Sequence, residues 1–258
     1  NRDRYTNIYY SKLFFPYNRT KIEVNHFKLI LLSLIRRTHM DLIEAMQQRH
    51  TVRKYTDKKI PQEVLKLIQQ RIDENNSSLS LSLKLICSNK SGLNLIAKLF
   101  LGNGVRNFII LAGEDSKTLS ENLGYAGADL MLAFQTWGLN SWWVGQTYNR
   151  HVSDFVPGKK VIGILAIGYG KTQGIPHKSK LFSDVATYQG KMPDWFIHGV
   201  NACLLAPTAQ NKQDFRIEGI DHEVSIHCDD SIFMKENLGI LKYHFELAAG
   251  KENFIWKE

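Results

Sequence analysis

The stretch "ENLGYAGADLMLAFQTWGL" (121–139) decides the fold, because it predicts a long helix in the middle of the chain. Before the sequence becomes apolar, its first turns hold four small residues: Gly124, Ala126, Gly127 and Ala128. Small residues at that density indicate that another helix approaches closely, since protein interiors are packed without voids. The letters "ENLG" return at 236–239, where they again lead into a predicted helix. The central helix therefore has a partial copy near the carboxyl end.

A second and longer echo links two other segments. "KIPQEVLKLIQQRIDENNSSLSLSLKLI" (59–86) aligns without a gap with "KMPDWFIHGVNACLLAPTAQNKQDFRIE" (191–218). In each copy a proline, Pro61 or Pro193, is expected at the first helical position. Each helix then gives way to small polar residues and an alternating strand. We interpret both echoes as a duplication that makes the chain an internal pseudo-dimer; a chance match of helix and turn patterns is the alternative.

The pattern of the whole chain predicts an α+β domain, with a mixed sheet flanked by helices and two degenerate half-repeats. Helices are expected near 41–49, 61–75, 116–137, 194–206 and 236–249. Strands are expected near 83–87, 106–112, 141–144, 161–167, 214–218 and 223–227. The segment 161–170 is apolar almost throughout, as a strand covered on both faces would be. Segments 88–104 and 170–193 are rich in loop signals.

The net charge of +8 is concentrated at the amino end. Residues 1–39 hold eight Lys or Arg against two acidic residues and contain neither Gly nor Ala. Met40 is followed by a capping-box-like pair, Asp41 and Glu44, that predicts a helix start. We expect a folded domain over 40–258, with a first half of about 40–180 and a second half of about 181–258. Residues 1–39 are then a basic extension, or an arm that packs on the domain or on a partner.

The composition argues against several classes of function. The apolar run "FKLILLSLI" (27–35) is too short to span a bilayer and lacks a cleavage site, so no membrane association is expected. The basic charge comes without a nucleic-acid-binding motif, which argues against that partner. The nine His fall in no metal-ligand spacing, so no metal is expected. Cys87, Cys203 and Cys228 are typical of reduced packing residues in a cytoplasmic protein.

Two basic clusters flank the first half. In "RHTVRKY" (49–55), Arg49, Thr51 and Arg53 alternate, so an extended chain would project them on one side. Guanidinium groups match phosphate oxygens, and "PHKSK" (176–180) repeats the arrangement with Lys178 and Lys180. A solvated face near a helix end is the alternative for either cluster alone. Together the two clusters favour a phosphorylated ligand.

Two further stretches favour contact with a flat, uncharged ring. In "LNSWWVGQTY" (139–148), Gly145 would let the backbone approach a ring closely, because it has no side chain to clash. At least one of Trp142 and Trp143 is expected to be a core residue instead. In the second half, "LAPTAQNKQDF" (205–215) offers small and amide side chains with little charge.

In this order, the motifs resemble the FMN-dependent NAD(P)H nitroreductase family, and most of all its branch in which two half-domains are fused in one polypeptide. The resemblance covers roughly residues 40–258. It implies a nitroreductase-like enzyme that binds FMN, takes hydride from NADH or NADPH, and reduces small acceptors such as nitroaromatics or quinones. A flavin-binding or storage protein with little turnover is the alternative. A monomer or a homodimer is expected, with small-molecule substrates as its only partners.

The resemblance assigns one set of residues to the phosphate end of the flavin. Arg49 and Thr51, with His50 beside them, match the residues that hold the FMN phosphate and ribityl chain in this family. Lys178 and Lys180 match the basic pair that closes on the phosphate.

A second set is assigned to the ring. Arg53 would lie near the pyrimidine edge and stabilise negative charge on the reduced flavin. Gly145, with Val144 and Gln146, would present backbone to the reactive edge. The family's A-P-[ST]-x-x-N-x-Q motif is matched in the second half by Ala206, Pro207, Thr208, Ala209, Asn211 and Gln213. No side chain is assigned as a catalytic residue, since the flavin would carry the chemistry.

The chain departs from the family pattern in two places. The A-P-[ST] motif ordinarily follows the first helix after "RHTVRKY", where this chain has "NNSSLSLS", and a fused pseudo-dimer would explain the shift. Asp214 replaces a Pro that commonly precedes the aromatic residue after the motif, which puts the loop shape in doubt. Because the second half has no R-x-[ST]-x-[RK] motif, one flavin per chain is expected.

Overall fold

The computed structural model describes residues 41–257, and the predicted basic extension of residues 1–39 lies outside this range. Six α-helices occur in the described residues: α1 Leu42–Gln48, α2 Gln62–Leu79, α3 Leu119–Thr136, α4 Phe182–Val185, α5 Asp194–Leu205 and α6 Met234–Ala249. Eight strands accompany them: β1 Lys84–Ile86, β2 Asn107–Gly113, β3 Asn140–Val144, β4 Lys160–Gly168, β5 Ala186–Gln189, β6 Phe215–Ile220, β7 Glu223–Cys228 and β8 Ile255–Trp256. Among these helices, none is long and apolar enough to cross a membrane. The α+β class is confirmed.

The first sheet has the order β1-β2-β4-β3 and is antiparallel at every pairing. Its long strand β4 lies between β2 and β3, so both of its edges are paired. Ile164 and Ala166 point into one core, whereas Leu165 and Ile167 point into another. The prediction that this strand is covered on both faces is therefore confirmed, although its neighbours run antiparallel to it.

The second sheet has the order β5-β6-β7-β8 and is mixed. β6 and β7 are antiparallel, while β5 and β8 pair in parallel at the two edges. One face of this sheet packs on α5 and α6 through a cluster that includes Phe196, Phe245 and Ile217. The expected single mixed sheet is thus two sheets, of which only the second is mixed.

Helices α3 and α6 cross at a pair of glycines. A Cβ atom on Gly124 would meet the backbone oxygen of Glu236, and a Cβ atom on Gly239 would meet the backbone oxygen of Glu121, both at well under 3.0 Å. The two contacts are reciprocal, because Gly124 and Glu121 occupy the same positions in the first "ENLG" as Gly239 and Glu236 occupy in the second. Such reciprocity is the mark of a two-fold contact.

The elements around this crossing follow the same order in each half. A helix, two antiparallel strands and a second helix are formed by α2, β1, β2 and α3, and again by α5, β6, β7 and α6. The two units differ in the connection between their strands, which is residues 87–106 in the first and the tight turn 221–222 in the second. The longer connection contains a π-helical turn, Ala97–Leu101.

A buried carboxylate ties three helices together. Asp129 of α3 accepts hydrogen bonds from Arg71 Nε at 2.7 Å and Nη2 at 2.5 Å, from Asn75 Nδ2 at 2.7 Å and from Tyr243 Oη at 2.6 Å. Arg71 and Asn75 lie on α2 and Tyr243 on α6. Since every lone pair of the carboxylate has a donor, its burial costs little, and the network fixes both halves to α3.

Most predicted elements are confirmed within a few residues, and the differences have local causes. Helix α2 runs to Leu79 through the small polar residues that predicted its end, because Asn75 and Asn76 find side-chain partners in Asp129 and in the backbone of Leu83. Pro61 and Pro193 were both expected at the first helical position. Each of them lies one residue before its helix.

Three other expectations need correction. Asp41 caps α1 by accepting from Glu44 N at 2.7 Å, but the Glu44 side chain accepts from Gln48 instead of completing a capping box. The loop-rich segment 170–193 contains α4 and β5, whose short runs show no clear period. Cys87 is exposed and is therefore not a packing residue.

Replacing Gly239 with alanine is expected to destabilise the protein. Gly to Ala in a helix ordinarily stabilises by roughly 1 kcal/mol, but here the new methyl group would meet a backbone oxygen that cannot rotate away. We expect a loss of about 3 kcal/mol in the free energy of unfolding, measured by urea denaturation. The exposed Lys66→Ala on α2 is the control and should change it by less than about 0.5 kcal/mol. A Gly239→Ala protein as stable as the parent would contradict the close crossing.

Candidate functional site

The segment after α1 runs in an extended conformation beside β3. Val52 N donates to Ser141 O at 3.1 Å, and Val52 is buried with its side chain in the interior. Alternation then directs the neighbouring side chains, Thr51 and Arg53, to the opposite side, where both line a cleft. The guanidinium of Arg53 lies over the ring of Trp142, 5.7 Å from its centroid.

The end of β3 forms a wall of this cleft. Trp142, Trp143 and Val144 line it, followed by Gly145 and Gln146. Gly145 does face a flat ring, but the ring is that of Phe233, since a Cβ atom on Gly145 would lie 2.6 Å from its Cε1. Both Trp side chains also pack in the core, so they have a structural and a lining role together.

The second half contributes the loop that follows α5. Thr208 Oγ1 accepts from Gln213 N at 3.1 Å, and Ala209 N donates to Asn237 Oδ1 at 3.1 Å. Gln210, Asn211 and Gln213 have φ values of 55°, 54° and 51°. Each non-glycine residue in this left-handed region costs on the order of 1 kcal/mol, so the loop is held against strain by its contacts.

These segments meet in one cleft of about 300 Å³, at the small end of the range for ligand sites. Eight of the predicted site residues line it: Thr51, Arg53, Val144, Gly145, Gln146, Pro207, Thr208 and Ala209. The lining residues that were not assigned to a site are Met131, Trp142, Trp143, Thr147, Gln210, Phe233, Glu236, Asn237 and Ile240. Phe233, Glu236, Asn237 and Ile240 belong to the start of α6. The second "ENLG" (236–239) is the sequence signal that could have indicated these residues, because it marks the turn of α6 that crosses α3 next to the cleft.

Gln213 and Lys180 do not line the cleft but fasten two loops to each other. The Gln213 side chain donates to Leu204 O at 2.9 Å and accepts from Lys180 N at 2.7 Å, and it is 1% exposed. Lys180 Nζ donates to Gln213 O at 2.9 Å and pairs with Asp214 at 3.2 Å. Asp214, which replaces the family's Pro, thus pairs with Lys180, the lysine that was expected to contact a phosphate.

Asn211 and Lys178 also meet each other outside the cleft. Asn211 Nδ2 donates to Lys178 O at 2.9 Å, and both residues are exposed. Among the described residues, the Lys178 ammonium has no hydrogen-bond or ion-pair partner. The loops 176–180 and 208–214 therefore form one unit, in which this lysine keeps its charge available.

Arg49 is a buried cation. It is 4% exposed, and its Nε has no hydrogen-bond partner within the part of the chain that the structure describes. Burial lowers the pKa of Arg49 to about 10, which leaves it charged at neutral pH. A buried guanidinium without a counter-ion is costly, so the arrangement suits an anionic ligand.

His50 and His177 extend this positive region. Burial, followed by the charges of Arg49 and His177, lowers the pKa of His50 below its ordinary value of 6.5. His177 Nε2 lies 2.9 Å from Leu204 O, at the centre of the two joined loops. The charge of His177 therefore couples His50 to the 176–180 loop, although Arg49, His50 and His177 do not line the cleft.

The chain is similar to known nitroreductases in sequence family and in fold. A family model described as "Putative TM nitroreductase" matches residues 41–249. A structure described as a "putative nitroreductase" from Thermotoga maritima has a TM-score of 0.56 at 22% identity, and the match covers 81% of this chain and 84% of that one. This likeness shows a common fold. No curated protein matches the chain significantly in sequence.

Two further structures share smaller parts of the chain. One is described as an FMN-dependent nitroreductase from Clostridium difficile, with a TM-score of 0.43, 18% identity, and coverage of 55% of this chain and 92% of that one. The other is described as a "putative nitroreductase" in complex with FMN from Desulfovibrio desulfuricans, with a TM-score of 0.45, 14% identity, and coverage of 59% and 98%.

Gln213→Ala is expected to lower the stability of the ligand-free protein. Lys180 N would lose its hydrogen-bond partner and Leu204 O would lose one of three, at roughly 1–3 kcal/mol in total. Thermal or urea unfolding measures the effect, with the exposed Lys212→Ala as the control. An unchanged unfolding curve would show that the amide serves a ligand and not the loops.

Inorganic phosphate is expected to raise the pKa of His50. The neighbouring cations lower that pKa in the free protein, and a bound anion would favour the protonated ring. Phosphate should accordingly bind more tightly as the pH falls through the pKa. NMR titration of the His50 ring with and without phosphate checks this, and exposed His151 serves as the internal reference. Equal shifts of both rings would count against a site at His50.

Proposed function

Since the chain belongs to the nitroreductase family described as "Putative TM nitroreductase", we propose that it is an FMN-dependent oxidoreductase. It takes hydride from NADH or NADPH and reduces small acceptors such as nitroaromatics or quinones. The observation that carries the proposal is the cleft itself. It joins Thr51, Arg53 and Gly145 of the first half to Pro207 and Thr208 of the second, which are the positions that match the family's flavin motifs.

Two features of the chain fit a flavin phosphate and ring. The Nε of buried Arg49 lacks a partner among the described residues, and a phosphate oxygen would supply one. A flat ring fits against the backbone of Gly145, where the Phe233 ring now lies. When bound, the flavin supplies the redox chemistry. Arg53 holds a positive charge at the wall of the cleft, where it favours a ligand that becomes negative.

We also propose that one chain is an internal pseudo-dimer with a single flavin site. The reciprocal glycine contacts and the repeated element order support the duplication. A second cavity, of about 380 Å³, is lined by Asn75, Ser78, Tyr125 and Glu246. These are the repeat equivalents of Pro207, Gln210, Ile240 and Met131 in the cleft.

Ion pairs and hydrogen bonds fill the second cavity. Tyr125 Oη donates to Glu246 at 2.5 Å, Lys251 pairs with Glu246 at 2.7 Å, and Arg71 pairs with Asp129 at 2.5 Å. Polar groups that satisfy each other leave no face for an apolar ring. Because motif residues from both halves of one chain line the cleft, a monomer suffices for binding.

The absorption spectrum of the purified protein tests the proposal directly. A flavin spectrum with about one FMN per chain is expected, followed by steady oxidation of NADH or NADPH when a nitroaromatic or quinone is present. Bound FMN without turnover would instead support the storage role. A protein that binds no FMN would overturn the proposal.

Arg49→Gln is expected to weaken FMN binding by roughly 10- to 100-fold and to leave riboflavin binding unchanged. The substitution removes a charge-assisted contact with the phosphate, worth about 1.5–3 kcal/mol. Riboflavin has no phosphate, so its binding does not depend on this contact. Fluorescence titration with both ligands gives the two dissociation constants. Arg216→Gln, on the exposed face of β6, is the matched control. Equal weakening of both ligands would contradict a phosphate contact at Arg49.

A further inference from the structure

Glu236 is a largely buried residue that lines the cleft. It lies in the first turn of α6, is 9% exposed, and belongs to the lining. Within residues 41–257, its carboxylate accepts no hydrogen bond and has no Lys, Arg or His within 4.0 Å.

The repeat provides an internal comparison for this residue. Glu121 occupies the same place in the first "ENLG", and its carboxylate pairs with Lys242 at 2.6 Å. The repeat equivalent of Lys242 is Gly127, against which the ring of Trp143 packs. The α3–α6 crossing therefore neutralises Glu121 and leaves Glu236 without a cation.

The cleft itself does not replace that cation. Arg53, which also lines the cleft, lies over Trp142 and forms no ion pair with Glu236. Phe233 directly precedes α6, three residues before Glu236, and also lines the cleft. A cleft that is lined by a carboxylate and by aromatic side chains attracts cations and N–H donors, because both the carboxylate charge and the faces of aromatic rings are negative.

We infer that Glu236 determines the charge preference of the cleft, which takes planar ligands that present a positive charge or an N–H donor and rejects planar carboxylates. A cationic group would restore to Glu236 the partner that Lys242 gives to Glu121. An anionic group would place two like charges side by side in the cleft. The inference rests on the proposed function, with the substrate bound in the same cleft as the flavin.

Equilibrium binding to the FMN-loaded protein tests the inference with three probes of similar size: N-methylquinolinium, quinoline and quinoline carboxylate. Quenching of flavin and tryptophan fluorescence reports their binding. The cation is expected to bind at least ~10-fold more tightly than the carboxylate. Glu236→Gln, which keeps the shape and removes the charge, should reduce that ratio by about 10-fold.

Glu121→Gln is the matched control, because it changes the same repeat position outside the cleft, and it should leave the ratio as it was. The ratio of kcat/KM for cationic and anionic nitroaromatic acceptors should change in parallel with the binding ratio. Equal binding of all three probes, no binding of any of them, or the same loss of preference in both variants would overturn the inference. A protein that binds no FMN would overturn the proposed function instead, and the probe ratio could still be measured on it.

Discussion

The crossing of α3 and α6 at Gly124 and Gly239 is the constraint on which the rest of the structure depends. Glycine in a helix interior costs about 1 kcal/mol relative to alanine, so two such residues need a compensating gain. The gain comes from the close approach of the two helix backbones. Gly124 lies against Glu236 O, and Gly239 lies against Glu121 O. Because the backbone and not a side chain fills each contact, the crossing fixes the register of the two helices. The sheets follow, since each packs on the helices of its own half.

The same turn of α6 that is fixed by the crossing also builds the cleft. The backbone of Glu236 lies against Gly124 while its side chain lines the cleft, and the adjacent Asn237 accepts from Ala209 N. The strained loop after α5 is held from the other side by Gln213 and Lys180. The walls of the cleft are therefore set by contacts that form during folding. A ligand would meet a preformed site, which lowers the entropy that binding must overcome.

The sequence predicted the elements better than it predicted the site, and the reason is the range of the interactions. Periodicity and end signals are local, so α1, α3, α5, α6 and the longer strands could be placed. Helix α2 outran its predicted end because Asn75 and Asn76 are satisfied by distant partners. Within the site, Thr51, Arg53 and Gly145 entered the cleft as the motifs implied. Gln213 and Lys180 were assigned to a ligand, but they bind each other across loops 33 residues apart, a pairing that no local pattern contains.

The second cavity and the cleft differ most in how their charged groups are paired. In the second cavity Asp129, Glu246, Arg71 and Lys251 have partners inside the protein, so the cavity is stable as it stands. In the cleft, the Glu236 carboxylate has no cation within 4.0 Å, and beside it Arg49 Nε has no hydrogen-bond partner among the described residues. Unpaired buried charges reduce stability, and a fold retains them only where another term offsets the cost. The paired charges of the second cavity hold α2, α3 and α6 together, while the charges in and beside the cleft stay available to a ligand.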